Sequence, residues 1–180
     1  MSNKEMQTTL ALTAIGQDHP GVMNLFARSA KTCHCTMLCT KASVFGDTFT
    51  LMTNFVGSWH GIAKLESVLL KLCQKNDFMI HMKRNQQQHT KFSGVPYYVQ
   101  MIAPDRPNIL FELTQFFSRK GIPLDEIQCD TFPAPKTGTL MANVGFQVYI
   151  PSKTHITTLR ESFMVYSEEL NLDVVMEPIK

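Results

Sequence analysis

An α+β fold, built as two ferredoxin-like βαββαβ units in tandem, is what this 180-residue sequence predicts. Three observations carry that prediction. The second half repeats the first, each half runs through the same order of hydrophobic periodicities, and the halves differ in length at one loop-forming stretch. The units are expected over residues 6–84 and 96–178, with a polar linker over 85–95.

The repeat starts at an offset of 87 residues. Asp18-His19-Pro20 falls on Asp105-Arg106-Pro107, and Val22, Met23, Phe26 and Ala30 fall on Ile109, Leu110, Leu113 and Phe117. Upstream, Leu10, Leu12 and Ala14 fall on Tyr97, Val99 and Met101; downstream, Met37 and Phe45 fall on Leu124 and Phe132. From there the offset becomes 94, with Ile62, Leu65 and Leu69 falling on Ile156, Leu159 and Phe163. Phe78, Ile80 and Met82 then fall on Leu172, Val174 and Met176. The change of seven reads as a single insertion at Pro133-Ala134-Pro135-Lys136-Thr137-Gly138, where a hairpin loop accepts extra length at little entropic cost.

Each element follows from its spacing. Residues 8–15 alternate Leu10, Leu12 and Ala14 against Thr9 and Thr13, a strand pattern. Pro20 is expected at the first helical position, where its fixed φ suits the helix and its missing N–H costs nothing. That helix buries Val22, Leu25, Phe26 and Ala30. Residues 35–45 and 48–56 form a hairpin around Gly46-Asp47, and residues 60–75 carry Ile62, Leu65, Leu69 and Leu72 on one helical face. A strand over 78–84 closes the unit. Two interleaved βαβ crossovers give a four-stranded antiparallel sheet with both helices on one face.

Hydrophobic residues at 44% and charged residues at 18% fit a chain with a buried core rather than a disordered one. A net charge of +2 is too small for an electrostatic nucleic-acid footprint, and Lys83-Arg84 with Lys91 reads as a solvated connector. No apolar run approaches the ~20 residues of a membrane span, and Met1-Ser2-Asn3-Lys4-Glu5 lacks a signal-peptide core. Five cysteines, an odd number, suit a reduced compartment, so a cytoplasmic location is expected.

The sharpest local signal is Gly16-Gln17-Asp18-His19-Pro20-Gly21-Val22, between the first strand and the first helix. His19 is expected as the N-cap, because a residue before proline is pushed out of the helical region. Asp18 is expected to reach the Gly21 N–H. Gly21 leaves the N–H groups of Gly21 and Val22 open to a carboxylate, and Asp18 suits an ammonium, which together describe an α-amino-acid site. If the φ of Gly21 is helical, alanine there is neutral or stabilising. The competing reading of the same residues is a helix cap and nothing more. In the second half Asn108 replaces the glycine, a side chain that either donates to a ligand or fills the space.

Cys33-His34-Cys35 with Cys39 invites a zinc reading, but the spacing is not that of paired C-x₂₋₄-C turns. Cys35, Met37 and Cys39 are instead expected on one buried strand face. The second half places Ile122, Leu124 and Glu126 there, so no metal is expected. The six histidines are scattered, no nucleophile elbow, Walker loop or HExxH occurs, and neither catalysis nor a cofactor is expected.

The paired turns, Asp18-His19-Pro20-Gly21 and Asp105-Arg106-Pro107-Asn108, within a duplicated βαββαβ unit resemble those of the ACT domain family. The resemblance covers nearly the whole chain and implies regulation rather than catalysis. By carry-over it implies ligand positions at Asp18, His19, Gly21 and Val22, with Asp105, Arg106, Asn108 and Ile109 as counterparts. It further implies an amino-acid ligand, glycine or serine, and control of transcription through a LysR-type activator rather than through direct DNA contact. A homodimer is expected, because each unit leaves sheet edges and a sheet face uncovered. The alternative is an allosteric subunit of a separately encoded amino-acid enzyme.

Overall fold

The structure is a computed structural model that describes residues 7–85 and 94–179. The chain divides into two compact units, Met1–His89 and Thr90–Lys180, each considered by itself. The first contains β1 (Thr8–Gln17), α1 (Val22–Thr32), β2 (Thr36–Phe45), β3 (Thr48–Gly57), α2 (Trp59–Lys75) and β4 (Met79–Asn85). The second contains β5 (Val95–Pro104), α3 (Ile109–Arg119), β6 (Leu124–Pro133), β7 (Leu140–Ile150), α4 (Ile156–Glu169) and β8 (Asp173–Pro178). The linker expected over 85–95 lies, for residues 86–93, outside the described residues.

The sheets run β2-β3-β1-β4 and β6-β7-β5-β8, with every pair antiparallel. This is the order that two interleaved βαβ crossovers produce, so the predicted βαββαβ architecture holds in both units. Alternation along the central strands selects the buried face. Leu10, Leu12 and Ala14 of β1 and Phe49, Leu51 and Phe55 of β3 face Phe26, Ile62, Leu65 and Leu69 of the helices. Phe26, Phe49 and Phe78 pack as one aromatic group, Phe78 meeting the other two edge-on at 5.7 and 6.3 Å. The second core is built the same way, with Phe117 and Phe163 at 4.9 Å and Phe146 edge-on to Phe117 at 5.4 Å.

Strand register corrects the expectation of a single seven-residue insertion. β1 and α1 map onto β5 and α3 at the predicted offset of 87. Thr8 pairs with Gly57 and Val95 with Ile150, so β3 maps onto β7 at an offset of 93. Leu10 pairs with Arg84 and Tyr97 with Pro178, which restores 94 for the last strand. Six residues therefore enter the β6–β7 hairpin, and the seventh enters between β7 and the matched part of α4, where Pro151 to His155 stand opposite Ser58 to Gly61. Periodicity alone could not separate the two, because both lie between the same pair of matched elements.

The edge strand β2 also departs from expectation. It carries an irregularity between Leu38 and Lys41, with Cys39 at φ +49°. Cys35 lies ahead of the strand, buried, and its Sγ–H donates to the Cys33 carbonyl at 3.4 Å; Cys39 is exposed at the bulge. The two cysteines thus do not share a buried face, because the extra residue of a bulge breaks the two-residue alternation. Burial, and then the neighbouring Cys33, push the Cys35 thiol up, as burial does for Cys73, to about 11.

Candidate functional site

The turn from β1 to α1 is anchored at two points. The Asp18 N–H donates to the Asp47 carbonyl at 2.8 Å, tying the turn to the tip of the β2–β3 hairpin. The Val22 N–H donates to the His19 carbonyl at 3.1 Å. Gly21 between them has φ 89° and ψ 0°. A hydrogen bond from the fourth residue to the first, proline second, and glycine third at these angles make His19-Pro20-Gly21-Val22 a type II β-turn. Gly21 is the N-cap of α1 and Val22 its first residue.

This geometry corrects three expectations. His19 is not the N-cap and Pro20 is not the first helical residue, since proline before glycine satisfies the type II turn instead. The Val22 N–H closes the turn and is not available to a ligand, and the Val22 side chain is buried in the core. Asp18 does not reach Gly21: no side chain caps α1, and the Asp18 carboxylate makes no hydrogen bond or ion pair with the described residues. The open donors of the first turn are therefore the N–H groups of Met23 and Asn24, which a helix start leaves without intrahelical partners. Sequence reading missed these two, although the Pro-Gly pair is itself a type II signal.

Asp18, His19, Pro20 and Gly21 are all exposed, and a Cβ built on Gly21 would meet nothing within 4 Å. His19 Nδ1 lies 3.2 Å from the carbonyl of the adjacent Pro20, its sole hydrogen bond to a described residue. The turn thus presents a free carboxylate and an imidazole within the exposed run Gln17 to Gly21, ahead of an uncapped positive helix end. A small zwitterion matches those charges.

The counterpart turn shares the hairpin anchor and the positive-φ N-cap but differs in side-chain bonding. Asp105 N–H donates to the Leu140 carbonyl at 2.8 Å, and Asn108 at φ 69° and ψ 7° is the N-cap of α3. Asn is the residue that substitutes for Gly at positive φ, so Gly21 and Asn108 answer one backbone demand. Ile109, like Val22, is buried. Arg106 is engaged: Nη1 donates to Glu112 Oε1 at 3.0 Å, and Nη2 lies 2.5 Å from Glu112 Oε2 and 3.4 Å from the Leu170 carbonyl. That pairing raises the Arg106 guanidinium further above its ordinary range, the hydrogen bond to Glu112 being the largest cause. An open cavity of about 400 Å³ lies on this unit, lined by Ala103, Pro104, Arg106, Glu169, Leu170 and Asn171.

Residues 8–83, within the first unit, match the family model for the ACT domain, and the second unit repeats the same strand order. The chain is similar to the glycine cleavage system transcriptional repressor of Escherichia coli (strain K12), 26% identical over 165 residues that span 92% of this chain and 87% of that protein. The same figures hold for the repressor of Shigella flexneri. Two solved structures share the fold over 97% of this chain and 99% of theirs. One is described as a candidate glycine cleavage system transcriptional repressor (TM-score 0.74, 23% identity). The other is a protein of unknown function from Galdieria sulphuraria (TM-score 0.77, 19% identity).

Proposed function

We propose that this chain is an amino-acid-responsive regulator that represses transcription of glycine cleavage genes through a protein partner. The observation that carries the reading is the similarity, end to end, to the glycine cleavage repressors, on a fold whose first turn presents unpaired polar groups. The ligand is a small α-amino acid, glycine or serine. Its carboxylate takes the N–H groups of Met23 and Asn24 over Gly21, and its ammonium takes Asp18, with His19 alongside. The partner is a LysR-type activator, and the chain is a cytoplasmic homodimer without an enzymatic step of its own. A net charge of +2 supports contact with protein over contact with DNA.

Asp18→Asn separates charge from shape at this site. Removing one charge-assisted bond of ~1.5–3 kcal/mol should weaken glycine or serine binding roughly tenfold or more in calorimetry. Unchanged affinity would refute the site. For the partner, co-purification with a LysR-type activator and absence of a shift on bare glycine cleavage promoter DNA are expected. Co-purification with an amino-acid enzyme instead would favour an allosteric subunit. Sedimentation should give twice the mass of one chain.

A further inference from the structure

We propose that the second unit's turn is latched shut by its own Arg106–Glu112 ion pair, so that each chain takes one amino acid, at the first unit. The inference rests on the ligand site proposed above and decides which of the two turns serves it. At the offset of 87, His19 stands where Arg106 stands and Leu25 where Glu112 stands. The two turns share the anchor to the hairpin and a positive-φ N-cap; the side-chain chemistry placed on them differs.

In the second unit the first turn of α3 already has its anion. Glu112 is the acidic residue of that turn, whereas α1 has none. A carboxylate in the first helical turn is stabilised by the exposed N–H groups there, the same attraction a ligand carboxylate would use. Arg106 donates to Glu112 Oε1 through Nη1, and Nη2 lies against Glu112 Oε2, which is screened from solvent and accepts no hydrogen bond from the described residues. Nη2 also reaches the Leu170 carbonyl at the end of α4, a helix with no basic residue in its own last turn. Arg106 therefore supplies the cation that α4 lacks while holding the anion that α3 uses. The Tyr166 hydroxyl closes the circuit by donating to the Glu112 carbonyl at 2.8 Å. A zwitterion would have to displace this charge-assisted pair to enter, while at α1 no side-chain cap and no acidic residue of the first turn stand in its way.

Titration calorimetry with glycine and with L-serine on the full chain tests this. One equivalent per chain is expected, with affinity reduced roughly tenfold or more by Asp18→Asn and left within about twofold by Asp105→Asn. Two equivalents, or loss of affinity on Asp105→Asn, would overturn the latch while leaving the amino-acid reading intact. Binding that survives Asp18→Asn and falls with Glu169→Gln would place the ligand in the cavity beside Arg106 and overturn it as well. No binding of any amino acid would end the functional reading and this inference together. A readout independent of ligand is amide exchange: Glu112→Gln keeps the shape and removes the charge, and should speed exchange at residues 106–112 but not at 19–25. Equal protection in variant and parent would show that the pair does not hold the turn.

Discussion

Gly21 concentrates the residue-scale chemistry. At φ 89° an L side chain is strained even though the surrounding space is empty, so the cost of substitution lies in the backbone alone. Gly21→Ala should therefore destabilise the first unit by ~1–2 kcal/mol, the cost of a non-glycine residue in the left-handed region. Gly21→Asn should cost less, because Asn108 holds the same conformation in the second unit. Thermal denaturation of both variants checks the order, and a neutral Gly21→Ala would contradict the turn assignment. The expected neutrality of alanine is reversed here, since it depended on a helical φ that Gly21 does not have. The Pro-Gly and Pro-Asn pairs are legible as turn signals, yet a proline ahead of a helix fits the first helical position equally well. The hydrogen bond from Val22 to His19 and the positive φ of Gly21 distinguish the two.

At the scale of elements, α2 is fastened to β4 by Glu66 and Arg84. Arg84 Nε donates to Glu66 Oε1 at 2.7 Å, Nη2 lies 2.5 Å from Oε2, and the guanidinium sits 5.5 Å from the centre of the Trp59 ring. The hydrogen bond from Arg84 is the largest cause of a Glu66 carboxyl held below its usual range. A carboxyl whose folded pKa is lowered contributes stability above its unfolded pKa and loses it as pH falls through the folded value. The parent and Glu66→Gln should thus differ most in melting temperature near neutrality and converge in acid. A gap that widens on acidification would contradict the pairing. The pair is solvent-exposed and screened by salt, so the difference should also shrink at high ionic strength. In the second unit Arg160 and Pro178 occupy these places, and such a pair cannot form there.

Across the whole molecule, each unit carries its own hydrophobic core, and no residue of one core cluster belongs to the other unit. Fragments 1–89 and 90–180 should each unfold cooperatively by circular dichroism and calorimetry. A fragment that stays unstructured would show that its core needs the other half. Among the described residues no helix is long and apolar enough to cross a membrane. The duplicated fold has diverged most at its turns: Leu25 against Glu112, His19 against Arg106, and two hairpin residues, Gly46-Asp47, against the eight from Pro133 to Leu140 by strand register. The central strands and the helix faces have kept their character.

That pattern marks the border between one-dimensional and three-dimensional information. Strand and helix order, the buried alternation of Leu10, Leu12 and Ala14, and the duplication follow from the sequence itself. Hydrophobic periodicity is a local property, and it is repeated over enough residues to average out exceptions. The tertiary structure decided what hangs on single bonds. It placed Cys39 on a bulge, took the Val22 N–H into a turn, and split the seven-residue difference between two loops. It also brought Arg106 onto Glu112 and the end of α4, a residue 64 positions away in the chain. Such pairings depend on where a turn aims a side chain and on which backbone groups are already satisfied, and neither quantity has a period for a sequence to display.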